Sequence, residues 1–163
     1  MKSTPFFLTA MLASALTGAV AFAAEPPRPV AMTSVIEDAL SRHSGSFLAQ
    51  AELDDERGGL VYEVEVAWND GRSFDLTYDA YTGEWQREHE DYEDDYDGAG
   101  NVSSFASLLA AVEAQQPGEL REVELDDERG RWVYEVKVKS ADGRSREIHI
   151  DAESRESLAH DDD

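Results

Sequence analysis

An internal duplication is the feature that most constrains the fold of this chain. One stretch, starting at Leu53, reads LDDERGGLVYEVEVAWNDGRS, and a second, starting 72 positions later at Leu125, reads LDDERGRWVYEVKVKSADGRS. The two stretches share 15 identical residues in 21 positions. Weaker similarity continues on both sides, so that each copy spans roughly 55–60 residues, the size of a minimal fold unit. The sequence therefore predicts two copies of one small fold.

Each copy opens with a helical pattern. In the first copy, Ile36, Leu40 and His43 recur at helical spacing. Ser34 and Glu37 fit a capping box at the start of this helix. The second copy has the same arrangement, with Ser103 or Ser104 as the cap and an apolar stripe formed by Phe105, Leu108, Leu109 and Val112.

After each helix the hydrophobic period changes from 3.6 to 2, which predicts antiparallel strands with one buried and one solvated face. The expected buried residues are Leu60, Tyr62, Val64, Val66 and Trp68 in the first copy, and Trp132, Tyr134, Val136 and Val138 in the second. Asp-Gly pairs at positions 70–71 and 142–143 predict tight hairpin turns before a further strand. The acidic stretch DDERG, which precedes the alternating strand in both copies, is predicted to be a solvated hairpin loop.

The order of these motifs resembles the PepSY domain family. In the first copy the resemblance rests on Tyr62-Glu63-Val64, Asp70-Gly71 and the stretch DAYTGE from Asp79 to Glu84; in the second it rests on Tyr134-Glu135-Val136, Asp142-Gly143 and Asp151-Ala152. The second copy departs from the family at Arg155, where a turn glycine would stand, so we expect its last hairpin to be looser. The resemblance implies an α+β fold with two tandem repeats, each with one helix packed on a three- to four-stranded antiparallel sheet of the cystatin-like kind.

The resemblance also implies a function. Members of the family are small exported or membrane-anchored modules, and the resemblance implies that this chain has no catalytic residues. The expected partner of this chain is therefore an envelope or secreted protein, such as a membrane sensor or a peptidase whose activity it restrains.

The expected domain boundaries follow from the two copies. They are a first repeat at 30–88, an acidic linker at 89–102, a second repeat at 103–160 and an acidic tail at 161–163. Residues 1–23 combine Lys2 with an apolar run that ends at Ala21-Phe22-Ala23, which predicts a signal peptide cleaved near Ala23. We expect a periplasmic or secreted protein that does not insert into the membrane after cleavage.

The composition narrows the class of partner. The formal net charge is −22 at pH 7, which repels nucleic acid and anionic lipid and favours a basic protein surface or a cation. The chain has no cysteine, so no disulfide stabilises it. Its four histidines are scattered, with His43 at the end of a helix, His149 on a solvated strand face, and His89 and His160 in the acidic ends of the copies. We expect no catalytic residue and no cofactor.

Two groups of residues remain as candidates for binding. Seven of the ten residues from 88 to 97 are acidic, which makes Glu93, Asp95 and Asp97 candidate metal ligands and divalent-cation binding an alternative function. The spacing does not fit an EF-hand, whose twelfth position would be Ser104, and a hydrated linker explains the same composition. Tyr81 and Trp85 are candidate partner-binding residues, although Trp85 could instead close the core.

Overall fold

The computed structural model describes residues 27–92, 96 and 99–158. The predicted signal peptide, the candidate metal ligands Glu93, Asp95 and Asp97, and the acidic tail lie outside these residues. The described chain is α+β. Its elements are α1 (Met32–Arg42), β1 (Phe47–Glu56), β2 (Gly59–Ala67), β3 (Arg72–Asp79), β4 (Trp85–Tyr92), α2 (Phe105–Gln115), β5 (Glu119–Asp127), β6 (Trp132–Lys139), β7 (Ser145–Asp151) and β8 (Ser157–Leu158). Neither of these helices has the length and apolar character needed to cross a membrane.

All eight of these strands belong to one antiparallel sheet, in the order β4-β3-β2-β1-β5-β6-β7-β8. The copies meet where β1 pairs with β5, and Ala51 lies opposite Val123 at the centre of this pairing. Because these two residues are 72 positions apart, equivalent residues of the two copies face each other, and an approximate two-fold axis passes between them. The sequence led us to expect a separate sheet for each copy. The sheet is instead continuous, since each copy satisfies the free strand edge of the other.

The core lies between the sheet and the two helices. Helix α1 packs against β1, β2 and β5, and α2 packs against β7. The predicted alternation is confirmed in the middle of the long strands, where Tyr62, Val64 and Val66 and their equivalents Tyr134, Val136 and Val138 are buried. The residues between them point to the opposite face of the sheet, because side chains alternate along a strand.

The two helices begin differently. Helix α2 begins as predicted, with the Ser104 hydroxyl oxygen accepting a hydrogen bond from the Ser107 N–H at 3.3 Å. The capping box expected in α1 is wrong. Helix α1 already begins at Met32 after Ala31, so that Ser34 lies in the first turn and donates from its hydroxyl to the Ala31 carbonyl at 2.7 Å.

The expectation for the acidic stretch DDERG is wrong in the first copy. Strand β1 runs through Glu56 and β2 starts at Gly59, so the hairpin turn consists of Arg57 and Gly58 alone, and the three preceding acids lie on the strand. A two-residue turn lets the strand ladder continue to its end, and each added pair satisfies further backbone groups. The acidic side chains of the first copy are therefore part of the sheet surface. In the second copy β5 ends at Asp127 and β6 starts at Trp132, so Glu128 lies in a four-residue turn and the expectation is partly right there.

In both copies the last two strands are joined by the same aspartate turn. The Asp79 carboxylate accepts hydrogen bonds from the Tyr81 and Thr82 N–H groups at 2.9 and 2.8 Å. The Asp151 carboxylate accepts from the N–H groups of Glu153 and Ser154 at 3.1 and 2.7 Å. Backbone hydrogen bonds of this kind favour the ionised form, and they lower the pKa of both aspartates.

Arg155 occupies the glycine position of this turn without loosening it. Its φ is +68°, close to the +71° of Gly83 in the first copy. The hydrogen bond that closes the turn is also retained, at 2.9 Å from Asp79 N–H to the Glu84 carbonyl and at 2.9 Å from Asp151 N–H to the Glu156 carbonyl. The expected looser hairpin is therefore wrong, and Arg155 adopts a left-handed conformation that is unfavourable for a residue with a Cβ.

We expect Arg155→Gly to stabilise the protein by about 1 kcal/mol, because glycine adopts a positive φ without steric cost. Urea denaturation of the purified variant measures this change in the free energy of unfolding. The matched control is Gly83→Ala, which should lower stability because its new Cβ has the same unfavourable φ and lies 3.4 Å from Val30 Cγ2. A decrease in stability for Arg155→Gly would contradict the assignment of strain to this turn.

Candidate functional site

The candidate site is the face of the sheet that the helices leave open, which we name the acidic face. Two rows of side chains cross this face. Within each row, consecutive residues lie on neighbouring strands and are paired with each other. One row is His89, Asp75, Glu65, Gln50, Glu124, Glu135 and His149; the other is Arg87, Thr77, Glu63, Glu52, Glu122, Lys137 and Glu147. The rows contain eight carboxylates and two permanent cations, Arg87 and Lys137.

The duplication explains why both copies contribute acids to the same surface. Glu63 and Glu135 are equivalent residues, and each lies on the strand next to a valine that is buried under the helices. At the seam between β1 and β5, Glu52 lies directly opposite Glu122. Like charges placed opposite each other across two strands destabilise the pair. The seam therefore concentrates negative charge at the centre of the sheet.

Over the first copy the acidic face forms a groove of about 280 Å³. Its lining residues are Gln50, Glu52, Glu63, Val64, Glu65, Asp75, Leu76, Thr77, Arg87 and His89. Arg87 reaches from β4 and hydrogen bonds to both carboxylate oxygens of Glu56, at 3.2 Å for its Nη1, while its Nη2 lies 3.6 Å from Glu63. The hydrogen bonds from Arg87 hold the pKa of Glu56 below its ordinary value.

The charge of this face is incompletely neutralised by its own cations. Burial raises the pKa of Glu63, and the neighbouring Glu56 carboxylate raises it further. Burial also raises the pKa of Glu135, while His149 acts in the opposite direction. A raised carboxyl pKa means that the surroundings disfavour the charged form, so a bound positive group would be stabilised here.

In the second copy the acidic face has a different arrangement. Lys137 Nζ lies 2.7 and 2.8 Å from the two carboxylate oxygens of Glu122. Beside it, Glu128, Glu135 and His149 each bring one potential ligand atom to within 4.8 Å of the others. His149 lies on the strand face opposite the helices, as predicted, but its side chain is only 10% exposed. The sequence analysis treated the four histidines as isolated residues, and it therefore did not identify this cluster.

The described part of the linker contacts the sheet. Tyr96 donates its hydroxyl hydrogen to Glu65 at 2.8 Å, and its ring lies 6.2 Å from the rings of Phe47 and Trp132, measured between centroids. Asn69 donates a hydrogen bond to the Gly100 carbonyl at 3.0 Å. The linker is therefore held against the fold at these positions. The interpretation of Glu93, Asp95 and Asp97 as metal ligands stays a prediction.

Trp85 is the first residue of β4, and Tyr81 lies in the turn between β3 and β4. Strand β4 has one strand neighbour, β3, in the described sheet. The side chains of Tyr81 and Trp85 are 41% and 42% exposed, so Trp85 does not close the core. The Arg42 guanidinium lies 5.0 Å from the centroid of the Trp85 ring, and this contact holds one side of the ring. Their role in partner binding stays a prediction. His43 has a packing role at the end of α1, where it stacks on Phe74 at 4.4 Å between centroids.

Comparison with known proteins identifies the repeated unit. The family described as "Peptidase propeptide and YPEB domain", abbreviated PepSY, matches residues 29–89 and 103–156. The chain belongs to the PepSY family. The two PepSY matches confirm the predicted tandem copies, and both rows of the acidic face lie within them. PepSY domains are in general noncatalytic propeptide or regulatory domains.

One solved structure resembles this chain, and no curated protein matches it. A solved structure of a candidate lipoprotein from Clostridium difficile 630 is similar over 83% of this chain and 94% of that chain, with 18% sequence identity and a TM-score of 0.43.

Proposed function

We propose that this chain is a noncatalytic, exported PepSY protein that binds another envelope or secreted protein. The observation that carries the proposal is the acidic face, where carboxylates outnumber cations and where Glu63 and Glu135 have raised pKa values. Export rests on the signal peptide predicted at residues 1–23. Restraint of a peptidase is the narrower form of the proposal, and it is supported by the propeptide membership of the family.

The proposed ligand is an extended basic segment of the partner. Strand β4 is at the edge of the described sheet, and such an edge can accept a further strand through backbone hydrogen bonds. The side chains of an added strand alternate, so that every second residue would face the groove beside His89 and Asp75. Lysine or arginine at those positions would complement the carboxylates, while Tyr81 and Trp85 would contact an apolar residue at one end.

A labelled peptide tests the ligand chemistry. We expect an alternating Lys-Val peptide as long as β4 to bind the mature protein, and the same peptide with Glu in place of Lys not to bind. Fluorescence anisotropy measures the dissociation constant, which should rise with salt because the attraction is between charges. The double variant Glu63→Gln/Asp75→Asn, which neutralises groove carboxylates on the two strands nearest β4, should weaken binding by about tenfold, a loss of roughly 1.4 kcal/mol.

The matched control removes the same charge from the helices. Glu37 and Glu113 are exposed on α1 and α2, on the other side of the sheet. Glu37→Gln/Glu113→Gln should leave peptide affinity almost unchanged. Equal weakening by the two double variants would mean that net charge alone attracts the peptide, and it would overturn the assignment of the acidic face.

A further inference from the structure

We propose that Glu128, Glu135 and His149 form a binding site for a divalent transition-metal ion. The site lies on the part of the acidic face that the second copy contributes, away from the groove over the first copy. It differs from the candidate ligands in the linker, and it does not depend on the proposed peptide binding.

The spacing of the ligand atoms fits a single ion. His149 Nδ1 lies 3.3 Å from a carboxylate oxygen of Glu128, and the ligand atoms of all three residues lie within 4.8 Å of one another. Zinc binds histidine nitrogen and carboxylate oxygen at about 2.0–2.2 Å, so two ligands at tetrahedral angles are about 3.3–3.5 Å apart. His149 and Glu128 already have this separation, and rotation of the Glu135 side chain would bring in the third ligand.

The other ring nitrogen of His149 has the partner that metal-bound histidines usually have. His149 Nε2 lies 3.4 Å from a carboxylate oxygen of Glu147, whose other oxygen lies 3.9 Å from Lys137 Nζ. A ligating histidine typically donates its second N–H to a carboxylate, which fixes the ring and the tautomer. If Nε2–H is donated to Glu147, Nδ1 carries the lone pair and faces Glu128 at 3.3 Å.

In the first copy, the equivalent pair of carboxylates binds a positively charged side chain. The equivalents of Glu128 and Glu135 are Glu56 and Glu63, and Arg87 contacts both. The residue 72 positions after Arg87 is Ala159, which is uncharged, and the equivalent of His149 is Thr77. At these sequence positions the second copy therefore has no guanidinium, and it has a potential nitrogen ligand, His149, where the first copy has Thr77.

The ligand set determines the class of ion. One imidazole and two carboxylates suit zinc, cobalt, nickel or manganese, whereas calcium prefers six to eight oxygen ligands. Two carboxylates also balance the two positive charges of such an ion, and Glu135 is only partly exposed. Three protein ligands leave a coordination position for water or for a donor from a bound protein.

Calorimetric titration of the mature protein with zinc chloride alone tests the site. We expect one zinc ion per chain with a dissociation constant of about 10 μM or lower. His149→Gln and Glu135→Gln should each weaken binding by at least about tenfold. The matched control, Glu63→Gln, removes the same charge at the two-fold equivalent position and should change the affinity by less than about twofold. Cobalt(II) gives a second readout, since its visible absorption reports nitrogen ligation and should be lost in His149→Gln.

Three results would overturn the proposal. They are zinc binding no tighter than millimolar, binding unchanged by His149→Gln, and equal weakening by Glu63→Gln and Glu135→Gln. Circular dichroism of each variant shows whether it is folded. If His149→Gln does not fold, Glu128→Gln keeps the test decisive, because Glu128 is exposed in the turn between β5 and β6 and its replacement should weaken binding without unfolding the chain. Neutralising Glu93, Asp95 and Asp97 together should leave zinc affinity unchanged, and a loss in that variant would place the ion in the linker instead.

Discussion

Replacing Val123 with aspartate should abolish folding of both copies. Val123 is fully buried, lies opposite the equally buried Ala51, and belongs to the core cluster beneath the helices. An unpaired carboxylate at this position costs several kcal/mol, and the lost contacts add to this cost. A domain of this size has a total stability of about 5–15 kcal/mol, so the variant should have little or no folded population.

Hydrogen exchange distinguishes a shared core from two independent ones. In Val123→Asp we expect the slowly exchanging amides of β2 and β3 to lose protection together with those of β6 and β7, because one sheet joins them. The control is Glu124→Asp, one residue further along β5 on the solvent-exposed face, which should fold and melt nearly as the unmodified protein does. Protection retained in the first copy alone would show that the copies fold separately.

Gly118→Ala is expected to have the second largest effect on stability. Gly118 follows α2 and lies just before β5, where a methyl group would be 2.5 Å from the Lys139 carbonyl oxygen and 2.6 Å from Val138 Cγ1. The first of these atoms belongs to the backbone of a paired strand and cannot move freely. We expect a loss of about 2–3 kcal/mol, the upper part of the range of about 1–3 kcal/mol that is typical of overpacking.

The control for this prediction is another glycine outside a helix. A Cβ at Gly58 would have no atom within 4 Å, so Gly58→Ala should change stability by less than about 0.5 kcal/mol. Urea denaturation at constant pH measures both variants. Equal stability of the two would show that the chain can shift at Gly118 without cost.

The parts of the fold that depend on neighbouring residues could be predicted from the sequence. The alternation around Val64 and Val136 and the Asp-Gly turns at 70–71 and 142–143 follow from local side-chain periodicity and local backbone conformation. The predicted start of α1 was wrong because a capping signal competed with the burial of apolar residues. Ser34 fits a capping residue, but the helix extends to Met32 because both Met32 and Val35 are buried in the core.

The acidic face could not be predicted in the same way. The pairing of Gln50 with Glu124 depends on which strand edges meet, and no short sequence motif encodes that choice. Glu128, in the turn between β5 and β6, and His149, on β7, are separated by 21 positions and meet only because β7 pairs with β6. One signal was present in the sequence. At the 72-residue offset, Arg87 becomes Ala159 and Thr77 becomes His149, although Glu56 and Glu63 are retained as glutamates.

The pairing of β1 with β5 has a consequence for how such a protein can diversify. A chain with a single copy would leave the β1 edge bare, and pairing of that edge with a second molecule would give a symmetric homodimer in which every residue occurs twice. A covalent tandem holds the same interface together at a high effective concentration and removes the requirement for identical halves. Each substitution then changes one side of the axis alone. A carboxylate pair bridged by arginine on one side and joined by histidine on the other is an asymmetry that a homodimer could not encode.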